Sequence, residues 1–241
     1  WAIAAVAAYA QAVSGFGFAM LSVPLMIPVL GAQSSVVVAT VLSFVLTIGS
    51  TIAERRHVQW RPVLTLSAAA ILGIPIGLAV LLLLDPHWLT LIIGLVVIGT
   101  TVLLARGGAV RVVLSAPVVG GAGVLSGALL SSTGMNGPPV VAVFQSSGMH
   151  PGPFRASLQA TFVIQDLLAI AGFVLVSLLG PSTALVAVTA IPALGAGWWL
   201  GDRMFRRLTP GTFRRIVLGM LLLSGVVAVV QAILQLLARN P

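Results

Sequence analysis

Six uninterrupted apolar stretches, each about as long as a bilayer is thick, constrain this chain more than anything else in it: 33–53, 62–84, 88–105, 156–179, 181–201 and 216–238. A helix needs about 20 apolar residues to cross the hydrocarbon core, within a range of roughly 17–25. None of the six alternates polar and apolar residues, so they read as helices and not as barrel strands. Only 7% of the 241 residues are charged, and 59% are hydrophobic. An ordinary soluble domain has about 25% charged residues. So few polar side chains cannot cover a water-facing surface, which excludes a soluble globular domain, a disordered chain and a fibrous repeat. What remains is an all-α integral membrane protein. The leading apolar stretch has no basic segment before it, so it is expected to belong to the first membrane element and not to a signal peptide.

The twelve basic residues are all arginine, against four acids, for a net charge of +8. They sit in short loops between apolar stretches, which is a pattern of membrane orientation, and no nucleic-acid partner is expected. Cysteine is absent, which excludes disulfides and thiolate sites. His57, His87 and His150 lie in separate loops with no metal-ligand spacing and no nucleophile paired at membrane depth. Neither a metal, a cofactor nor an enzymatic activity is expected.

Two further apolar regions, 1–30 and 111–147, are broken in the middle. The first breaks at Ser14-Gly15-Phe16-Gly17, the second across Ser131-Ser132-Thr133-Gly134-Met135-Asn136-Gly137-Pro138-Pro139. Glycine frees the backbone, and proline cannot continue a helix from its N-terminal side. The breaks belong to a weak internal repeat. Gly73-x-x-x-Gly77 matches Gly197-x-x-x-Gly201, and Pro86 matches Pro210, at an offset of 124 residues. Ala39-Thr40 matches Ala160-Thr161 at 121, and Ser14-Gly15 matches Thr133-Gly134 at 119. Each half reads as a broken region followed by three helices, with the first membrane repeat at 1–105, a linker at 106–111 and the second repeat at 112–241.

The arginines test the topology. If each broken region crosses once, five arginines (55, 56, 61, 106, 111) face six (155, 203, 206, 207, 214, 215), and no orientation follows. If each enters and leaves on one side, all eleven share that side and Arg239 alone lies opposite. The opposite loops, Gly31–Gln33, Asp85–His87 and Gly180–Ser182, carry no arginine. The positive-inside rule selects this hairpin arrangement and places the arginine-rich loops in the cytoplasm of a cell (inner) membrane protein. Three crossings per half is an odd number, so the second half is inverted relative to the first. Inverted repeats with broken helices in matching positions are a transporter architecture, with the site expected where the breaks meet.

Irregular backbone at membrane depth is tolerated only inside protein or against a wet cavity. In each hairpin the second half-helix begins at the break and points its N-terminus inward. Two such ends facing each other form an anion site without a buried arginine. Ser14 and Asn136 are N-cap or donor candidates, and Pro138 and Pro139 suit a first helical turn. Gly15, Gly17, Gly134 and Gly137 let backbone approach a ligand, unless they serve only tight packing.

Asp166 lies inside stretch 156–179 and has two readings: a carrier of a coupling proton or orienter of Gln165, or a protonated acid facing the bundle interior. Thr161 and Gln165 share one helical face. Thr40, Ser43 and Thr47 form a stripe that lines a pathway or bonds between helices. Gly120, Gly123 and Gly127 suit close packing within the hairpin or against a second subunit, so a homodimer is among the partners considered.

The segment Ser14-Gly15-Phe16-Gly17 with Val23-Pro24-Leu25 resembles the first glycine-rich break of the sulfite exporter TauE/SafE family of permeases. Thr133-Gly134-Met135-Asn136-Gly137-Pro138-Pro139 resembles the second. The resemblance spans essentially the whole chain, with Phe16 and Phe18 standing where members often carry further glycines. It implies transport of sulfur-containing anions such as sulfite or organosulfonates. The anion is then expected at Ser14, Gly15, Gly17, Gly134, Asn136 and Gly137, with Thr161 and Gln165 beside them, Asp166 as the proton-coupling candidate, and the lipid bilayer as the surrounding partner. The alternatives are a small-solute or anion channel and a non-transporting membrane scaffold.

Overall fold

The apolar stretches fold as helices, and no strand occurs among the described residues. In this computed structural model those are residues 1–14, 16–105 and 115–205, with isolated positions between 219 and 233. The linker 106–111, most of the stretch 216–238 and the arginines from Arg206 onward lie outside them. The helices are α1 (Ala2–Ser14), α2 (Phe18–Leu30), α3 (Ala32–Glu54), α4 (Trp60–Leu83), α5 (Pro86–Ala105), α6 (Ala116–Thr133), α7 (Gly137–Ser146), α8 (Pro151–Leu175) and α9 (Pro181–Phe205). A 3-10 turn, Arg55–His57, joins α3 to α4.

Local chemistry sets these boundaries. Gly31, at φ 77°, both ends α2 and starts α3, a one-residue reversal that a side chain would strain. Asp85 receives the His87 N–H at 3.0 Å ahead of Pro86, a carboxylate cap before a proline-led helix. Pro24, Pro28, Pro75 and Pro192 sit inside helices, as helices buried in a membrane tolerate. Helix α8 starts at Pro151 and ends at Leu175, several residues earlier at each end than the stretch 156–179. Proline favours the first helical position, and Ser177 at φ 58° ends the run in a turn. Among the described residues, five helices (α3, α4, α6, α8, α9) are each long and apolar enough to cross a membrane. Helix α6 reaches that length with 18 residues, whereas α7, across the break, has only 10, about 15 Å of helix.

Helices α3 and α8 lie at the centre and pack on each other. They run antiparallel: Glu54 at the end of α3 meets Arg155 in the first turns of α8, 3.5 Å apart, and the Gln59 N–H donates to Ser157 Oγ at 2.9 Å. Glycines weld the outer helices. Gly73 and Gly77 of α4 lie on the α6 backbone at Val124 and Ala128, and Gly123 and Gly127 of α6 lie on Leu66 and Ala70 of α4. The close packing of Gly123 and Gly127 is therefore against α4, while Gly120 has nothing near it. Gly197 and Gly201 of α9 lie in the same way on Ala5 and Tyr9 of α1. A Cβ at Gly73 or Gly197 would collide with backbone, as expected where small residues let helix axes approach. Contacting residue numbers rise together in both pairs, so α4 runs parallel to α6 and α9 parallel to α1. Leu64, Leu72, Ile76, Leu185, Val188 and Leu200 remain exposed on the outside, as on a lipid-facing surface.

Candidate functional site

The first break is a short one. Helix α1 ends at Ser14, and Gly17 at φ 102° starts α2. The Phe18 N–H at the head of α2 donates to Gln11 Oε1, 3.1 Å away on the preceding helix. Gln11 thus caps α2 across the turn, and at 4% exposure it relieves a donor that would otherwise be orphaned in a dry place. Gly15 and the side chain of Ser14 lie outside the described residues.

The second break is narrower than residues 131–139. Ser131, Ser132 and Thr133 are still helical, their hydroxyls donating to the carbonyls of Gly127, Ala128 and Leu129. Gly134, at φ 78°, closes α6 with its N–H on the Leu130 carbonyl at 2.8 Å, a left-handed helix end. Asn136 precedes α7 without capping it by its side chain, and Pro138 and Pro139 fall in the first turn. The Asn136 amide turns outward from α7 instead: Nδ2 donates to Gln165 Oε1 at 3.2 Å. Ser126 Oγ reaches the same Oε1 at 2.8 Å and the Asn136 carbonyl at 3.0 Å. Gln165 on α8 therefore fastens the second break from behind, while its own Nε2 has no partner.

Both breaks line one cavity. Gly17 and Phe18 contribute from the first, Gly134, Asn136 and Gly137 from the second, and Ser43 of α3 and Phe162 of α8 close the sides. The contact is direct, for a Cβ placed on Gly137 would touch the rings of Phe16 and Phe162 at 3.8 Å. The cavity measures about 20 Å³, room for about one water molecule.

Thr161 is buried beside this region, but its hydroxyl donates to the Ser157 carbonyl at 2.8 Å and does not reach the cavity wall. Asp166 is fully buried. Its carboxyl accepts no well-formed hydrogen bond, and the polar side chain beside it is Ser43. In the stripe on α3, Thr40 and Thr47 spend their hydroxyls on the Val36 and Ser43 carbonyls, which leaves Ser43 as the member that lines the cavity. Sequence reasoning passed over Gln11 and Ser126. The signal for Gln11 was there, a lone amide in an alanine-rich helix three residues before the break. Ser126 lies seven residues, two turns, before Thr133, and nothing local distinguishes it.

The family model described as sulfite exporter TauE/SafE matches residues 1–228. A curated relative from Cupriavidus necator, the "Probable sulfite/organosulfonate exporter TauE", is 26% identical over 236 residues, covering 93% of this chain and 90% of that protein. No solved structure matches. With its apolar helices and these two glycine-broken segments meeting inside them, the chain belongs to the sulfite exporter TauE/SafE family of membrane transporters.

Proposed function

We propose that the protein carries sulfite or a small organosulfonate across the membrane by alternating access, holding the anion between the two breaks. The observation that carries this reading is the shared cavity: two discontinuous segments far apart in sequence line one buried space. The name of the Cupriavidus relative supports the substrate class.

The antiparallel pairing of α3 with α8 supports two inverted repeats, since Thr40 and Thr161 are matched positions and inversion reverses matched helices. The packing pairs support it too, because exchanging the halves turns α4 on α6 into α9 on α1. Each repeat is then a re-entrant hairpin followed by three crossings. The positive-inside rule puts the arginine-rich end, with Glu54 and Arg155, in the cytoplasm.

The donor set at the site is small. Pro138 and Pro139 have no N–H, so the first turn of α7 offers only Gly137 and Val140. Asn136 Nδ2 and Ser43 Oγ supply further donors, and the ends of α2 and α7 add dipole. A cavity that holds one water is smaller than a sulfonate. Binding therefore requires Phe16, Phe18 and Phe162 to withdraw. Asp166 is the proposed proton carrier, acting through Ser43.

Counterflow in proteoliposomes tests the reading. Vesicles loaded with unlabelled sulfite or taurine should transiently accumulate labelled substrate against its gradient. Passive equilibration with a conductance that does not saturate would identify a channel and overturn alternating access.

A further inference from the structure

A second and larger cavity opens on the same side of α3, toward the arginine-rich end. It measures about 420 Å³, within the range of roughly 300–1,000 Å³ usual for small-molecule sites. Its walls are α3 and α9, with Arg155 entering from α8. Leu46, Ile191, Leu194 and Trp198 give it an apolar body, and Glu54 and Arg155 stand in it as a charged pair. The space exists because Gly49 and Gly195 face nothing within 4 Å.

Three observations connect this cavity to anion transport. Ser43, Leu46, Ser50 and Glu54 succeed one another at spacings of three and four residues, so one face of α3 leads from the small cavity to the large one. Between Ser43 and Leu46 the helix rises only about 4.5 Å. Second, the charged pair is loose. Its atoms are 3.5 Å apart with both side chains about a third exposed, and Arg155 Nε makes no hydrogen bond. Such a pair is weak, and its guanidinium presents a fork suited to an oxyanion. Third, the equivalent gap at the other end is shut. Between α8 and α4, Gly172 is filled by Leu78 and Ile74, and Ile74 is the residue that the repeat offset of 124 matches to Trp198.

We propose that the large cavity is a second anion subsite on the transport path, a vestibule at the arginine-rich end. An organosulfonate would lay its apolar body against Leu46, Leu194 and Trp198 and its sulfonate on Arg155 in place of Glu54. The placement on the path rests on the transport reading, but the binding chemistry does not. The occupant is an amphiphilic anion and not a lipid chain, because a lipid chain has no use for a displaceable charged pair on the wall.

Trp198 makes the site directly observable. In the purified full chain, 4-bromobenzenesulfonate should quench tryptophan fluorescence saturably, and Trp198→Phe should remove the saturable part. Arg155→Gln should weaken binding by about tenfold or more, Glu54→Gln should tighten it, and Gly195→Leu should abolish it by filling the space. Tightening by Glu54→Gln is an outcome that a folding defect does not produce, so the test survives if Arg155→Gln fails to fold. Equal quenching by uncharged 4-bromobenzyl alcohol, or by a phospholipid brominated in its chains, with no effect of Arg155→Gln or Glu54→Gln, would overturn the proposal. Sulfite counterflow on the same preparations separates the two readings. Counterflow without Arg155-dependent quenching overturns the subsite alone, and Arg155-dependent quenching without counterflow overturns the transport reading and leaves the subsite standing.

Discussion

Ser43 on α3 stands between Asp166 on α8 and the cavity that the two breaks share, beside the carboxyl on one side and lining the void on the other. The two residues belong to different halves of the chain. Each lies eleven residues from the Glu54–Arg155 pair along its own helix, about 16 Å deeper in the molecule. In the function proposed above, this carboxyl carries the coupling proton and Ser43 links it to the anion. Asp166→Asn should therefore leave transport active but flatten its dependence on pH, measured as initial uptake between pH 5 and 8, while sulfite still raises the melting temperature. A mutant profile that tracks the wild type would remove Asp166 from coupling.

The glycine welds predict a symmetry of damage. Leucine at Gly73 drives a side chain into the Val124 backbone of α6, and leucine at Gly197 does the same at Ala5 of α1. Backbone cannot step aside as a flexible side chain can, so each should cost at least about 2 kcal/mol. In detergent both variants should melt well below the parent and by similar amounts. Gly99→Ala and Gly120→Ala, where an added methyl meets nothing within 4 Å, should melt with the parent. A tolerant Gly197 beside an intolerant Gly73 would argue against equivalent halves.

What could be read from the chain followed the range of the interaction. Long apolar runs announced α3, α4, α8 and α9 because lipid acts on every residue of a span, and Gly31, Gly134 and Pro138 marked turns because their constraint is local. The start of α8 was misplaced because Arg155 reads as a loop residue, whereas its charge is met by Glu54 a hundred positions earlier. Thr161 and Gln165 looked equivalent on one helical face. Only the fold distinguishes them, since Thr161 bonds its own helix while Gln165 reaches across to Asn136. The width of the cavity depends on how three phenylalanines pack, Phe16 in the first break, Phe18 on α2 and Phe162 on α8, which no spacing encodes.

Gln11 is the residue on which the first break turns. Replacing it with methionine keeps the volume and removes the acceptor, leaving the Phe18 N–H buried and unpaired. The expected loss is about 1–3 kcal/mol, read as a lower melting temperature. Because the same amide lines the cavity, sulfite transport should fall by more than the loss of folded protein explains. Normal transport in Gln11→Met would show that the head of α2 needs no such cap.

Phe162 closes the cavity from α8, beside Phe16 and facing Gly137. It is 3% exposed, so truncation to alanine leaves a hole and should cost about 3 kcal/mol or more. If this ring sets how large an anion fits, the hole should favour bulkier substrates. Phe162→Ala should improve uptake of benzenesulfonate relative to sulfite by about tenfold, the order expected when a pocket gains or loses a few carbon atoms. The ratio is the useful readout, because a merely unstable variant lowers both rates together and leaves their ratio unchanged. An unaltered ratio in folded Phe162→Ala would mean that the anion does not pass this ring, and the cavity between the breaks would lose its claim to be the binding site.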